Sequence, residues 1–92
     1  MYRDPKSLLH GCSEWEVPGL GAYFEVDESS FCRHISEALI AWGSPCVLLP
    51  SGRGLFLQFF FENGESFHLL VKSQDPSHVI HLIYEGLKNV SI

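Results

Sequence analysis

Residues 55–71 read LFLQFFFENGESFHLLV, with five phenylalanines, five aliphatic residues and one Asn63-Gly64 pair. Two apolar runs flanking Asn-Gly predict a β-hairpin. Apolar residues fall on both parities, however, as if both faces of the sheet were covered, and the choice of loop decides how they are shared. A two-residue loop sets Phe61 opposite Ser66, Phe59 opposite His68 and Leu57 opposite Leu70, so that both faces are mixed and neither makes a good core. A three-residue loop, Glu62-Asn63-Gly64 with Gly64 at positive φ in a bulge, sets Phe59 opposite Phe67, Leu57 opposite Leu69 and Leu55 opposite Val71. One face then carries Leu55, Leu57, Phe59, Phe61, Phe67, Leu69 and Val71, all apolar. The other carries Phe56, Gln58, Phe60, Ser66, His68, Leu70 and Lys72. Because a one-residue slip exchanges every side chain between faces, burial selects the three-residue loop.

On either side of the hairpin the chain supplies helices. Residues 27–42 place Phe31, Ile35, Ala38, Leu39 and Trp42 at i, i+4, i+7, i+8 and i+11, a single apolar stripe. Asp27, Ser29 or Ser30 can cap the start, and Gly43 followed by Pro45 ends it. Asp75-Pro76 opens a second helix, in which Val79, Ile80, Ile83, Tyr84 and Leu87 form the expected buried stripe and Asn89 is the expected stop. Gly86 lies inside this helix, where it either permits a close backbone approach or marks fraying. Cys46-Val47-Leu48-Leu49 reads as a strand ahead of the turn at Pro50-Ser51-Gly52-Arg53-Gly54. Trp15-Glu16-Val17 reads as a short extended piece and residues 23–26 as a candidate first strand, with Phe24 and Val26 on one face.

The fold class expected is therefore α+β, a two-layer sandwich. A three-stranded antiparallel meander, with a candidate fourth N-terminal strand, packs on two helices in the order (β)-α-β-β-β-α. Residues 1–14 read as a loosely ordered N-terminal segment, with Leu8 and Leu9 as anchors, and residues 15–92 as one α+β domain.

Composition narrows the function. Eleven acids against six Lys and Arg give a net charge of −5, with the cations scattered singly. That disfavours nucleic acid and anionic membranes as partners, since both require clustered cations. No run approaches the length of a membrane span. Three cysteines, Cys12, Cys32 and Cys46, without CxxC spacing do not form a disulfide framework, and the expectation is an intracellular protein, cytoplasmic or nuclear, with free thiols. Charged residues make up only 18% of the chain, which leaves part of a small protein's large surface for contacts other than water.

Chemistry-bearing motifs are sparse. His10-Gly11-Cys12, Cys32-Arg33-His34 and the His78–His81 pair lack the paired local spacings of a zinc site, so neither metal nor cofactor is expected. Cys46, in an apolar strand, is expected to be buried and inert, and Cys32 to border the buried stripe of its helix, with His34 or His68 as the nearest conceivable bases. No nucleophile elbow or carboxylate pair appears, and the reading is of a protein that is not an enzyme.

The α-β-β-β-α order of residues 28–89 resembles the topology of double-stranded RNA-binding domains. That family opens its second helix with phosphate-gripping lysines; the same place here reads SQDPSHVIH. The resemblance implies a degenerate member with weak or no RNA affinity, in which Arg53, His68, Lys72 and His78 would be the contacts. The leading expectation is instead a non-catalytic protein-interaction module, a small subunit or adaptor, self-associating or binding a protein partner. Its surface would be Phe56, Phe60 and Leu70 on the second sheet face, with Gln58 and His68 beside them and Trp15 and Tyr23 extending it. Burying the three apolar anchors is worth at most about 5–8 kcal/mol in area terms. The alternative is that residues 1–24, with Trp15 and Tyr23, fold over that face internally.

Overall fold

The structure is a computed structural model that describes residues 5–9, 12–18, 21–51, 54–61 and 64–90. Its elements are α1 (Pro5–Leu8), β1 (Ser13–Val17), β2 (Gly21–Asp27), α2 (Glu28–Arg33), α3 (Ile35–Trp42), β3 (Pro45–Ser51), β4 (Gly54–Phe60), β5 (Ser66–Lys72) and α4 (Pro76–Val90).

The hairpin takes the register that places all the apolar odd positions together. Phe59 pairs with Phe67, Leu57 with Leu69 and Leu55 with Val71. Phe61 donates its N–H to the Glu65 carbonyl at 2.8 Å, and Gly64, at φ +90°, donates to the Phe61 carbonyl at 3.0 Å. Loop residues Glu62 and Asn63 lie outside the described residues. The core face so formed is dense in aromatic contacts. Phe59 stacks on Phe67 at 5.2 Å, Phe61 stacks on the same ring at 5.5 Å, and Trp42 of α3 meets Phe59 and Phe67 edge-on at 5.2 and 5.1 Å. Such pairs are worth about 0.5–1.5 kcal/mol each beyond area burial.

The expected α+β two-layer arrangement is present, with a larger sheet than the meander alone. Five strands lie in the order β1-β2-β5-β4-β3. Both N-terminal segments are strands, joined antiparallel, and β2 adds to the free edge of β5 in parallel, so the sheet is mixed rather than an antiparallel meander. The parallel direction has a local cause. It brings the exits of β2 and β5 to the same end of the sheet, where each strand turns into the helix layer. Asp27 pairs with Lys72 in the backbone register, and their side chains form an ion pair at 3.3 Å. One residue on, the Ser73 hydroxyl donates to the Glu28 carboxylate at 2.8 Å, tying the start of α2 to the approach to α4. Ser73 Oγ also accepts the Asp75 N–H at 3.0 Å. Asp27 occupies the N-cap position of α2, but its side chain makes no capping bond because it is turned toward Lys72.

The first helix divides at His34 (φ −111°, ψ 17°), whose N–H is shared between the Ser30 and Phe31 carbonyls. The break leaves the apolar stripe intact: Phe31, Ala38, Leu39 and Trp42 are buried and Ile35 packs against them. Gly43, at φ +86°, closes α3 by donating to the Leu39 carbonyl at 3.0 Å. In α4, Tyr84 does not belong to the buried stripe. It is 64% exposed, and the inward positions are Val79, Ile80, Ile83, Gly86 and Leu87. Gly86 is a close-approach glycine rather than a sign of fraying: a Cβ there would sit 2.8 Å from Leu39 Cδ1 and 3.8 Å from Ile35 Cγ1, so its absence lets α4 settle on α3. The helix runs to Val90, one residue past the expected stop.

Leu8 and Leu9 both serve as anchors. Leu9 is fully buried in the core cluster, and Leu8 packs at its margin. Lys6 lies over the Phe24 ring at 5.8 Å, and Phe24 faces the core beside Leu69. Residues 5–9 are thus held on the same side of the sheet as the helices.

Candidate protein-interaction surface

Strand register builds the second sheet face. Residues directly opposite each other in paired strands point to the same side. Trp15 pairs with Tyr23, Tyr23 with His68, His68 with Gln58 and Gln58 with Cys46, so one row crosses all five strands. The adjacent row runs from Glu25 through Leu70 to Phe56, and Phe60 with Ser66 lies on the other side of the first. All seven residues expected at the surface, Phe56, Phe60, Leu70, Gln58, His68, Trp15 and Tyr23, therefore share the face turned away from the helices.

They are not equivalent on it. Leu70 has no exposed surface and Tyr23 is 5% exposed, although neither belongs to the main core cluster. Their cover is local. The rings of Tyr23 on β2 and Phe56 on β4 meet edge-to-face at 5.6 Å, and strands β2 and β4 flank β5. The two rings therefore meet across β5, and Leu70, the register partner of Phe56 on that strand, is fully buried on the same face. At the flanks, Trp15 and Phe60 are 55% and 54% exposed. Gln58 donates to the Ser66 hydroxyl at 3.3 Å, and His68 is half-buried between Gln58 and Tyr23. One end of the face is charged: Lys72 Nζ lies 3.8 Å from Glu25 and 3.3 Å from Asp27. The face thus has an apolar centre, two exposed aromatic shoulders and a polar rim.

The described part of residues 1–24 does not fold over this face. β1 and β2 extend the sheet in its own plane, while Pro5–Leu9 sits on the helix side. Trp15 consequently enlarges the outer face instead of covering it.

The reactive side chains are dispersed. Cys46 is exposed on the edge strand β3, which corrects the expectation that it is buried. Cys32 is partly buried, and burial followed by the nearby Glu28 carboxylate pushes its thiol up from the ordinary value. That direction is opposite to the activation a nucleophilic cysteine requires. His34 Nδ1, a buried atom, lies 3.7 Å from the exposed Glu37, and His81 Nε2, on exposed helix surface, lies 3.9 Å from Glu85. His10 and Gly11 lie outside the described residues. Among the described residues no three His, Cys, Asp or Glu side chains converge as metal ligands. The candidate nucleic-acid contacts are not gathered on one surface: His68 and Lys72 are on the outer sheet face, Lys72 is paired with two acids, and His78 is on α4. Arg53 lies outside the described residues. No helix among the described residues is long and apolar enough to cross a membrane.

Sequence reading missed Cys46 as a member of the outer row, and it missed the exposed Ile40 and Tyr84 on the helix layer. Tyr84 fits the helical period, but α4 packs on Val79, Ile80, Ile83 and Leu87 and leaves it outside. Comparison of the chain with family models, with curated proteins and with solved structures finds no match.

Proposed function

We propose that this protein is a non-catalytic interaction module whose outer sheet face binds a protein partner or a second copy of itself. The observation that carries the reading is the presence of Trp15 and Phe60, each more than half exposed (55% and 54%), on a single face with the Tyr23–Phe56 ring pair between them. Solvent-exposed aromatics over a packed base, with a Gln, Ser, His and carboxylate rim, match the composition of interface cores and their rims. The base lowers the entropic cost of binding, since Tyr23 and Phe56 are already held against each other.

The test is a charge substitution at a shoulder. Phe60→Glu places a carboxylate where a partner's apolar surface would lie. Association, followed by multi-angle light scattering for self-assembly and by co-purification for other partners, is expected to be lost while the far-ultraviolet circular dichroism stays unchanged. A wild-type chain that remains monomeric at high concentration and retains no partner, or a variant that associates as the wild type does, would overturn the reading.

A further inference from the structure

The two edges of the sheet differ, and the difference points to a class of partner. At one end β3 contains Pro45 and Pro50, which lack N–H donors, and a register shift between Val47 and Leu49. Prolines and bulges are the devices that stop an edge strand from pairing further. At the other end β1, with the sequence SEWEV, has neither. Its two sides are chemically distinct. Trp15 lies on the outer face beside Tyr23, whereas Glu14 and Glu16, both exposed, lie on the helix side opposite Phe24 and Ala22.

This pattern discriminates between occupants. Suppose a second copy paired antiparallel through β1 with both outer faces on one side. Residues of like parity would then stand opposite each other, so every such register that pairs three or more residues of β1 sets Glu14 or Glu16 against Glu14 or Glu16 of the copy. Like charges directly opposite are destabilising. A strand with lysine or arginine at alternate positions meets the same carboxylates favourably. The protein already contains the model for that contact, since Lys6 Nζ reaches Glu14 Oε2 at 3.2 Å from the same side of the sheet. The chain's net charge of −5 adds a long-range attraction of the same sign.

We propose that the β1 edge accepts an extended basic segment of a partner protein. It would pair main chain to main chain, with cationic side chains over Glu14 and Glu16 and an apolar side chain beside Trp15. This names a partner class for the surface proposed above and rests on that reading only in sharing Trp15.

The probe is a blocked heptapeptide that alternates lysine with valine, titrated into the full chain at low salt. Binding is followed by calorimetry and by a blue shift of the exposed Trp15 emission, with Trp15→Phe identifying which tryptophan reports. Two further peptides carry glutamate in place of lysine, or proline at the central valine. Binding of the lysine peptide, weakened about tenfold by the Glu14→Gln/Glu16→Gln double variant as expected for two cross-strand ion pairs, supports the proposal. So does failure of the glutamate and proline peptides. Equal binding of the proline peptide would show charge attraction without strand pairing and overturn it, as would no binding, or undiminished binding to the double variant. Phe60→Glu, at the far flank, is expected to leave peptide binding unchanged. Peptide binding can therefore fail while the Phe60 test succeeds, or the reverse, and the two proposals stand or fall separately.

Discussion

Replacing Leu70 with alanine tests the division of the outer face into a structural centre and exposed shoulders. Leu70 is fully buried, but on the face turned away from the helix layer, and among the described residues the Tyr23–Phe56 pair spans the strand that carries it. The substitution removes three carbon groups from an apolar environment, about 2.4 kcal/mol at about 0.8 kcal/mol each. A cavity term is added to the extent that the surroundings fail to collapse. Here the site lies on the outer face beside Phe56, which is only partly buried, so the total is expected at the low end of the leucine range, about 2–3 kcal/mol. For a domain of this size that corresponds to a fall in Tm of roughly 10–20 °C. Phe60→Ala, at a position already half exposed, is expected to cost about 1 kcal/mol or less, since only part of its surface leaves a packed environment. Urea unfolding followed by circular dichroism, with the m-value checked for constancy, measures both. A Leu70→Ala loss below about 1 kcal/mol, or a Phe60→Ala loss equal to it, would refute the division of the outer face into a structural centre and exposed shoulders.

Other expectations concern backbone approach, thiols and the helix entrances. Gly54→Ala should destabilise strongly, by about 3 kcal/mol or more in urea unfolding: its Cβ would overlap the Val71 carbonyl oxygen and lie 2.8 Å from the Ser73 nitrogen, backbone atoms that cannot rotate away. Gly86→Ala, obstructed by the tip of Leu39 alone at under 3.0 Å, should change stability by no more than about 1 kcal/mol, because helix propensity gains about as much as the leucine shift costs. At neutral pH a thiol reagent should modify exposed Cys46 ahead of Cys32, and the Cys32 rate should rise only above the ordinary thiol range. Glu28→Gln removes a negative charge that disfavours the thiolate, so it should lower the Cys32 pKa and speed its modification, read by mass spectrometry across pH. Ser73→Ala should cost about 1–2 kcal/mol by deleting the bond to the Glu28 carboxylate, with the loss checked by thermal unfolding.

Much of this was legible in the chain itself. Period-two alternation around Asn63-Gly64 set the hairpin register, because only one loop length gathers the apolar side chains on one face. The 3.6-residue stripes set the inward sides of the first helix and most of α4. The same alternation located the outer-face residues, since parity assigns each to a side without knowledge of the neighbours.

Tertiary structure decided what those patterns cannot carry. The parallel docking of β2 on β5 joins residues about 45 positions apart, as the Ser73–Glu28 bond shows, and alternation within a strand says nothing about which strand lies beside it or in which direction. That docking put Trp15 and Tyr23 in the plane of the sheet, while the edge position of β3 left Cys46 exposed and the packing of α4 left Tyr84 on its outer side. It also split three similar apolar residues into different roles. Leu70 is fully buried on the strand that the Tyr23–Phe56 pair spans, Phe56 is one of those rings, and Phe60, with no ring contact among the described residues, stands 54% exposed. Burial is a property of what the rest of the chain places overhead, which no local reading of residues 55–71 contains.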